Sequence, residues 1–212
     1  VAFMRRSVDA AMASFEGLAR MHESGGRFVA ADNNFRDQWM GETLAWLANK
    51  RYLGRRIIVW AAAFHTLREP SAIILGPAAS FSYQGIVTMG QVARAALGDA
   101  VYTIAFTSAE GTAGRVTGSQ TTPLSPPDRG SLEDLLTATG RRFLFLNLRG
   151  LPVEHWLRSP IAANPLGNSA VTTDWTKQFD ALVFIRTMFP STKGPLAPAD
   201  VVLTEPSSAR GR

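Results

Sequence analysis

The sequence contains no cysteine. That excludes disulfides and thiolate metal sites, and it suits a reducing compartment, so a cytoplasmic location is the expectation. No uninterrupted apolar run reaches the roughly 18 to 20 residues needed to cross a bilayer, and the N-terminus lacks a signal-like apolar stretch with a cleavage site. No membrane partner is therefore expected. Histidine is scarce: His22, His65 and His155 are the three in 212 residues, and their spacing is not that of metal ligands. The glycines spell neither a dinucleotide fingerprint nor a phosphate loop, and no G-x-S-x-G elbow occurs. A serine-hydrolase triad, a metal and any other cofactor are all disfavoured. The chain opens at Val1, ahead of its first methionine, Met4, and reads as a piece of a longer protein.

What is present is enough to fold. Hydrophobic residues make up 46% of the chain and charged residues 18%, so a sizeable core can form. The formal net charge is +5, yet the arginines come in pairs (Arg5 with Arg6, Arg55 with Arg56, Arg141 with Arg142) that flank expected elements. With no basic run interleaved by aromatics, a nucleic-acid partner is not expected.

The chain is organised around Arg55 to Thr66, RRIIVWAAAFHT. Ile57, Ile58, Val59 and Trp60 fit a strand buried on both faces, with His65 just past its C-terminal end. Ligands of open parallel sheets bind in the crevice beyond that end, so position is what singles out His65.

In chain order, Met4 to Met21 places Val8, Met12, Phe15, Leu18 and Ala19 at helical spacing, which predicts a surface helix with one buried stripe and His22 solvated in its last turn. Asn34 can cap a second helix, whose buried side takes Phe35, Trp39, Met40, Trp46 and Leu47 and which ends before Gly54. Arg36 and Asp37 in its first turn face either solvent or the site end of the sheet, and spacing alone favours solvent. The long irregular stretch after His65, which includes Tyr83, has the character of a lid or binding loop. Thr88 reads as the N-cap of a helix closed by Gly98, and Ser131 as the N-cap of another with Asp134 at its third position. AVYTIAFTS, FLFLNLRG and FDALVFIRT read as strands, and GTAGRVTGSQTTPL as a turn with a returning edge strand. His155, beside Trp156 near a short helix over 153–157, reads as a surface residue. This alternation predicts an α/β fold with a mainly parallel sheet flanked by helices.

FRDQWMGETLAWL, RRIIVWAAAFHT, MGQVARAALGDAVYTIAFTSAEG, FLFLNLR and FDALVFIRTMFPS follow one another over roughly Asn34 to Ser191. In that order they resemble the C-terminal half of the erythromycin esterase family. Its members look like R-D-x-x-M-x-x-N-x-x-W-L on a helix, V-W-A-H-N-x-H on the next strand, M-G-x-x-L before a G-x-x-Y-x-I-G-F strand, then a D-L-R strand and a final D-A-L strand. The resemblance implies residues 1–188 as the C-terminal portion of one incomplete domain, and the Pro-, Ser- and Thr-rich stretch 189–212 reads as a flexible tail.

It also implies a hydrolase that opens the macrolactone ester of erythromycin-like antibiotics with water activated by histidine and glutamate. The family's second strand-tip histidine falls on His65, the expected catalytic residue, and Arg36, Trp60 and Tyr83 are the expected substrate contacts. The first strand-tip histidine falls on Ala62, the motif's asparagine on Ala63, and the asparagine of the preceding helix on Thr43. The family's principal catalytic histidine and glutamates come from a region preceding Val1. The small-molecule ester site is thus expected to need an upstream part of the same protein, and this chain alone to be inactive. The alternative is a catalytically degenerate relative that binds a ligand or serves as a scaffold.

Overall fold

The strand read from FDALVFIRT is the centre of a three-stranded sheet. In the computed structural model, which describes residues 2–23, 34–76, 82–114, 120–167 and 170–191, the first two helices are α1 (Ala2–Glu23) and α2 (Asn34–Trp46). They are followed by the one-turn helix α3 (Ala63–Thr66) and by α4 (Met89–Leu97). The first three strands are β1 (Ile104–Thr107), β2 (Glu110–Gly114) and β3 (Thr121–Pro123). Helix α5 (Leu132–Ala138) leads into β4 (Phe143–Asn147). The chain continues through β5 (Ile161–Ala163), β6 (Val171–Thr173) and α6 (Trp175–Gln178) to β7 (Ala181–Ile185) and β8 (Thr187–Met188). Among the described residues no helix is long and apolar enough to cross a membrane.

The sheets are mixed rather than mainly parallel, which corrects the expectation. β7 lies between β1 and β4, pairing parallel with β1 and antiparallel with β4. β2 pairs antiparallel with β3, as the hairpin reading expected, and parallel with β8. β5 and β6 form a separate antiparallel pair. The direction of β4 against β7 depends on the path of the long connection between them, and strands as short as β5 and β6 carry too little pattern to reveal their pairing.

One face of the β1-β7-β4 sheet packs into the core, with Leu144 and Leu146 of β4 partly buried at its edge. Leu182 and Phe184 of β7 and Ala105 of β1 pack with Leu132 and Leu136 of α5, Leu157, Leu67, Trp175 and Phe179. Trp175 and Phe179 stack nearly parallel at 6.0 Å, and the Trp175 indole N–H donates to the Ile161 carbonyl. The caps read at Thr88, Ser131 and Gly98 are present. Thr88 Oγ1 accepts from Gln91 N, Ser131 Oγ accepts from Asp134 N, and Gly98 closes α4 with a positive φ.

The expected buried strand over Ile57–Trp60 is not one. Residues 55–62 form no regular element, pair with no strand among the described residues, and leave Ile58 92% and Trp60 85% exposed. A strand exists only where a neighbour completes its ladder, and no such neighbour is present beside this segment. The stripe of α1 departs in the same sense: Val8, Met12, Phe15 and Leu18 are exposed. On α2 the expected side is only half-buried at Trp39, Met40 and Trp46, and at Leu47 just past its end. Asp37 and Gly41 are buried where α2 crosses α4, while Phe35 is exposed beneath the Arg20 guanidinium. Gly41 permits this crossing, because a Cβ there would lie 2.5 Å from Val92 Cβ. His22 is exposed, as expected. His155 caps a single 3-10 turn, Trp156–Arg158, by accepting from Leu157 N. Most of the expected tail, 192–212, and part of the expected binding loop, 77–81, lie outside the described residues.

Candidate active site

His65 is the third residue of α3, and Asp37 lies in the first turn of α2. Twenty-eight residues apart in sequence, they meet at His65 Nδ1, which is 2.8 Å from Asp37 Oδ1 and 3.0 Å from Oδ2. Asp37 has no solvent exposure, so its charge must be balanced inside the protein. Its Oδ1 also accepts the Met89 backbone N–H at 3.1 Å, at the start of α4. A carboxylate there is favoured by the positive end of the helix dipole as well as by that bond. The expectation that Asp37 faces solvent is thereby corrected: the helix turns this face toward α4, and its acid finds two donors.

The other imidazole nitrogen, Nε2, is 3.2 Å from an Arg36 guanidinium nitrogen. A guanidinium has only donors, so Nε2 facing it is an acceptor and the ring proton sits on Nδ1, donated to Asp37. The imidazole is held as the tautomer whose basic nitrogen points away from the buried acid. The side chain of His65 is 21% exposed, so that nitrogen is reachable.

Several bonds lock the elements that carry the pair. Asn34, expected as a helix cap, instead clamps the loop before α4, donating to the Gly85 carbonyl and accepting from Val87 N, both at 2.8 Å. Thr88 Oγ1 donates to the Leu67 carbonyl at 2.5 Å. Gly90 lets α4 approach the end of α3, since a Cβ there would lie 2.2 Å from the Thr66 carbonyl oxygen. Three residues after His65, Arg68 donates to the carbonyls of Thr176, Lys177 and Gln178 and to Asp180 Oδ1. Asp180, nearly fully buried, also accepts from Arg149 Nε and Thr103 N. Burial works to raise the Asp180 pKa, but the Arg149 and Thr103 hydrogen bonds and the two arginine charges outweigh it and hold the carboxyl below its ordinary value.

The expected site residues are placed unequally. Arg36 and His65 are in contact. Tyr83 is half-buried against Phe64, whose ring meets His65 edge-on at 5.3 Å, and burial raises the Tyr83 phenol above its usual range. Trp60 leans on Phe106 at 5.7 Å, five residues before His65. Ala62, where the family carries its first strand-tip histidine, is the exposed N-cap of α3. Asp37 is the residue that sequence reasoning missed, although the R-D pair of the helix motif contained it. Among the described residues no three His, Asp or Glu side chains gather as a metal site.

The sequence model of the family described as "Erythromycin esterase" matches residues 4–188, a span that holds both members of the pair and, but for the first two residues of α1, every element of the fold. The chain belongs to the erythromycin esterase family. Among its relatives, the Bacillus subtilis (strain 168) protein named "Putative hydrolase YbfO" is 26% identical over 167 residues, covering 74% of this chain and 35% of the relative. A solved succinoglycan biosynthesis protein superposes with a TM-score of 0.57 at 20% identity, over 76% of this chain and 40% of that one. A mutant of the erythromycin esterase EreC in its open conformation superposes with a TM-score of 0.52 at 18% identity, over 80% and 40%. These likenesses establish the erythromycin esterase-like fold. The chain spans about two-fifths or less of the length of each of these relatives.

Proposed function

We propose that the chain carries the histidine–aspartate part of a hydrolase site that opens a carboxylic ester, a macrolactone or a related ester, with activated water. The observation that carries this reading is the placement of His65 between the Asp37 carboxylate at Nδ1 and the Arg36 guanidinium at Nε2. With Arg36 turned from Nε2 onto the carbonyl oxygen of a bound ester, Nε2 would take a proton from water as the resulting hydroxide attacks the ester carbonyl, and the imidazolium so formed would be stabilised by the Asp37 carboxylate. Arg36, beside Nε2, would hold the negative charge that develops on the carbonyl oxygen. The proton then passes from Nε2 to the departing alkoxide, giving the acid and the alcohol. Trp60 and Tyr83 would contact the apolar body of the substrate. The rest of the site would come from the part of the family protein that this chain does not span, so the chain alone is expected to be inactive.

The test is hydrolysis of a macrolide and of a simple activated ester, followed by mass spectrometry, in a protein that joins this chain to that remaining part. A gain of one water that falls by about a hundredfold to ten-thousandfold with His65→Ala supports the reading. A second reading is favoured by Ala62, which can neither transfer a proton nor donate a side-chain hydrogen bond: a catalytically degenerate binder. Saturable macrolide binding without turnover would select it.

A further inference from the structure

The strands of the central sheet carry apolar residues on both faces. β7 reads Ala-Leu-Val-Phe-Ile and β4 begins Phe-Leu-Phe-Leu, the pattern of strands covered on both sides. Yet one face is bare. The register places Phe106 and Phe145 on either side of Val183, with Phe143 beside Ile185. Phe143 is 65% exposed, Phe145 59%, and Ile104 and Phe106 43% each. Trp60 extends this patch toward α3 through its contact with Phe106. The exposed stripe of α1, Val8, Met12, Phe15 and Leu18, is a second apolar surface without cover among the described residues. Isolated exposed apolar residues are ordinary, whereas a contiguous patch of aromatic rings marks a surface meant to be covered.

Three strands about 4.8 Å apart, each four to five residues long, present roughly 200 Å² of sheet plane. A stable interface between separate chains takes about 800 Å² from each partner, so a second copy seated on this face alone would be held weakly. A layer belonging to the same folded unit faces no such threshold, because it loses little translational freedom on docking. The chain spans 35% to 40% of the length of its relatives, which leaves most of a family protein to supply that layer.

We infer that the bare face of β1, β7 and β4 is one half of a core, and that its other half is an apolar layer from the part of the family protein not spanned by this chain. The inference deepens the reading that the remaining part completes the site. Trp60 lies on the segment that leads into α3, so a layer closing over Phe106 and Trp60 reaches the neighbourhood of His65 and Arg36. The same layer would give residues 57–60 the cover they lack.

The experiment uses this chain and, as a separate polypeptide, the portion of the Bacillus subtilis relative that lies outside the match. Alone, the chain should bind a hydrophobic dye and self-associate without a defined stoichiometry. Phe106→Lys with Phe145→Lys should abolish both while the circular dichroism spectrum is retained. Adding the second polypeptide should lower the dye signal severalfold and slow amide exchange in β4 and β7, and the double lysine variant should not respond. No ester is consumed, so the outcome is independent of whether His65 performs hydrolysis. The inference is overturned if the chain alone binds no dye, if it forms a discrete dimer that persists at nanomolar concentration, or if the added polypeptide changes neither dye nor exchange.

Discussion

Asp37 holds His65 by both carboxylate oxygens while lying entirely out of solvent. The acid orients the ring, and Asp37 at Nδ1 together with Arg36 at Nε2 favours the tautomer with its proton on Nδ1. Nitrogen-15 NMR of the neutral imidazole should therefore show its proton on Nδ1 rather than on Nε2. Asp37→Asn leaves Nδ1 facing a group that can turn a donor toward it, so the tautomer preference should weaken or invert. Hydrolysis by the completed protein should then fall by a factor of about ten thousand, the scale seen when an orienting carboxylate is lost from a histidine base. An unchanged Nδ1 proton in Asp37→Asn would show that Arg36 alone sets the tautomer.

The approach of α4 to α3 depends on Gly90. An added Cβ meets the carbonyls of Thr66 and Leu67, backbone atoms with no rotamer to yield. Gly90→Ala should lower stability by about 1–3 kcal/mol, the cost of overpacking a close contact, and should disturb the His65 imidazole signals. Urea denaturation with NMR checks both. A neutral effect on stability would mean that the two elements separate easily.

Asp180 links stability to pH. Its folded pKa lies below the ordinary value of 3.8, because its hydrogen bonds to Arg149 and Thr103 and the charges of Arg68 and Arg149 outweigh burial. The folded state thus binds the proton less readily than the unfolded state. The stabilisation is complete above pH 3.8 and is lost as pH falls through the folded value. Asp180→Asn should flatten that acid limb and, by leaving Arg68 and Arg149 without their shared anion, lower stability near neutrality by roughly 3–5 kcal/mol. Denaturation midpoints across an acid pH series decide it; an acid limb identical to that of the unaltered chain would place the linkage elsewhere.

Much of the architecture was legible because it is local. The caps Thr88 and Ser131, the stop at Gly98, the hairpin of β2 with β3 and the apolar run of β7 each follow from residues within one turn or one strand. The family too was legible, since its motifs are short and keep their order. Strand direction was not. Whether β4 runs with or against β7 depends on where the chain goes between them, and no residue of FLFLN encodes that.

His65 was found from its place in a motif, whereas its partner was hidden. Asp37 in isolation is an acidic residue in the first turn of a helix, where solvent and the helix dipole satisfy it equally well. Only the packing of α2 on α4, permitted by Gly41 against Val92, turns that acid inward to meet His65 and Met89 N. The sequence by itself determined the helices, the strand-forming runs and the motif that marks His65, because those rest on periodicity and on capping between near neighbours. Tertiary structure decided that Asp37 is the orienting acid and that Ile57–Trp60 stays unpaired. Both depend on which surfaces, far apart in the chain, come into contact.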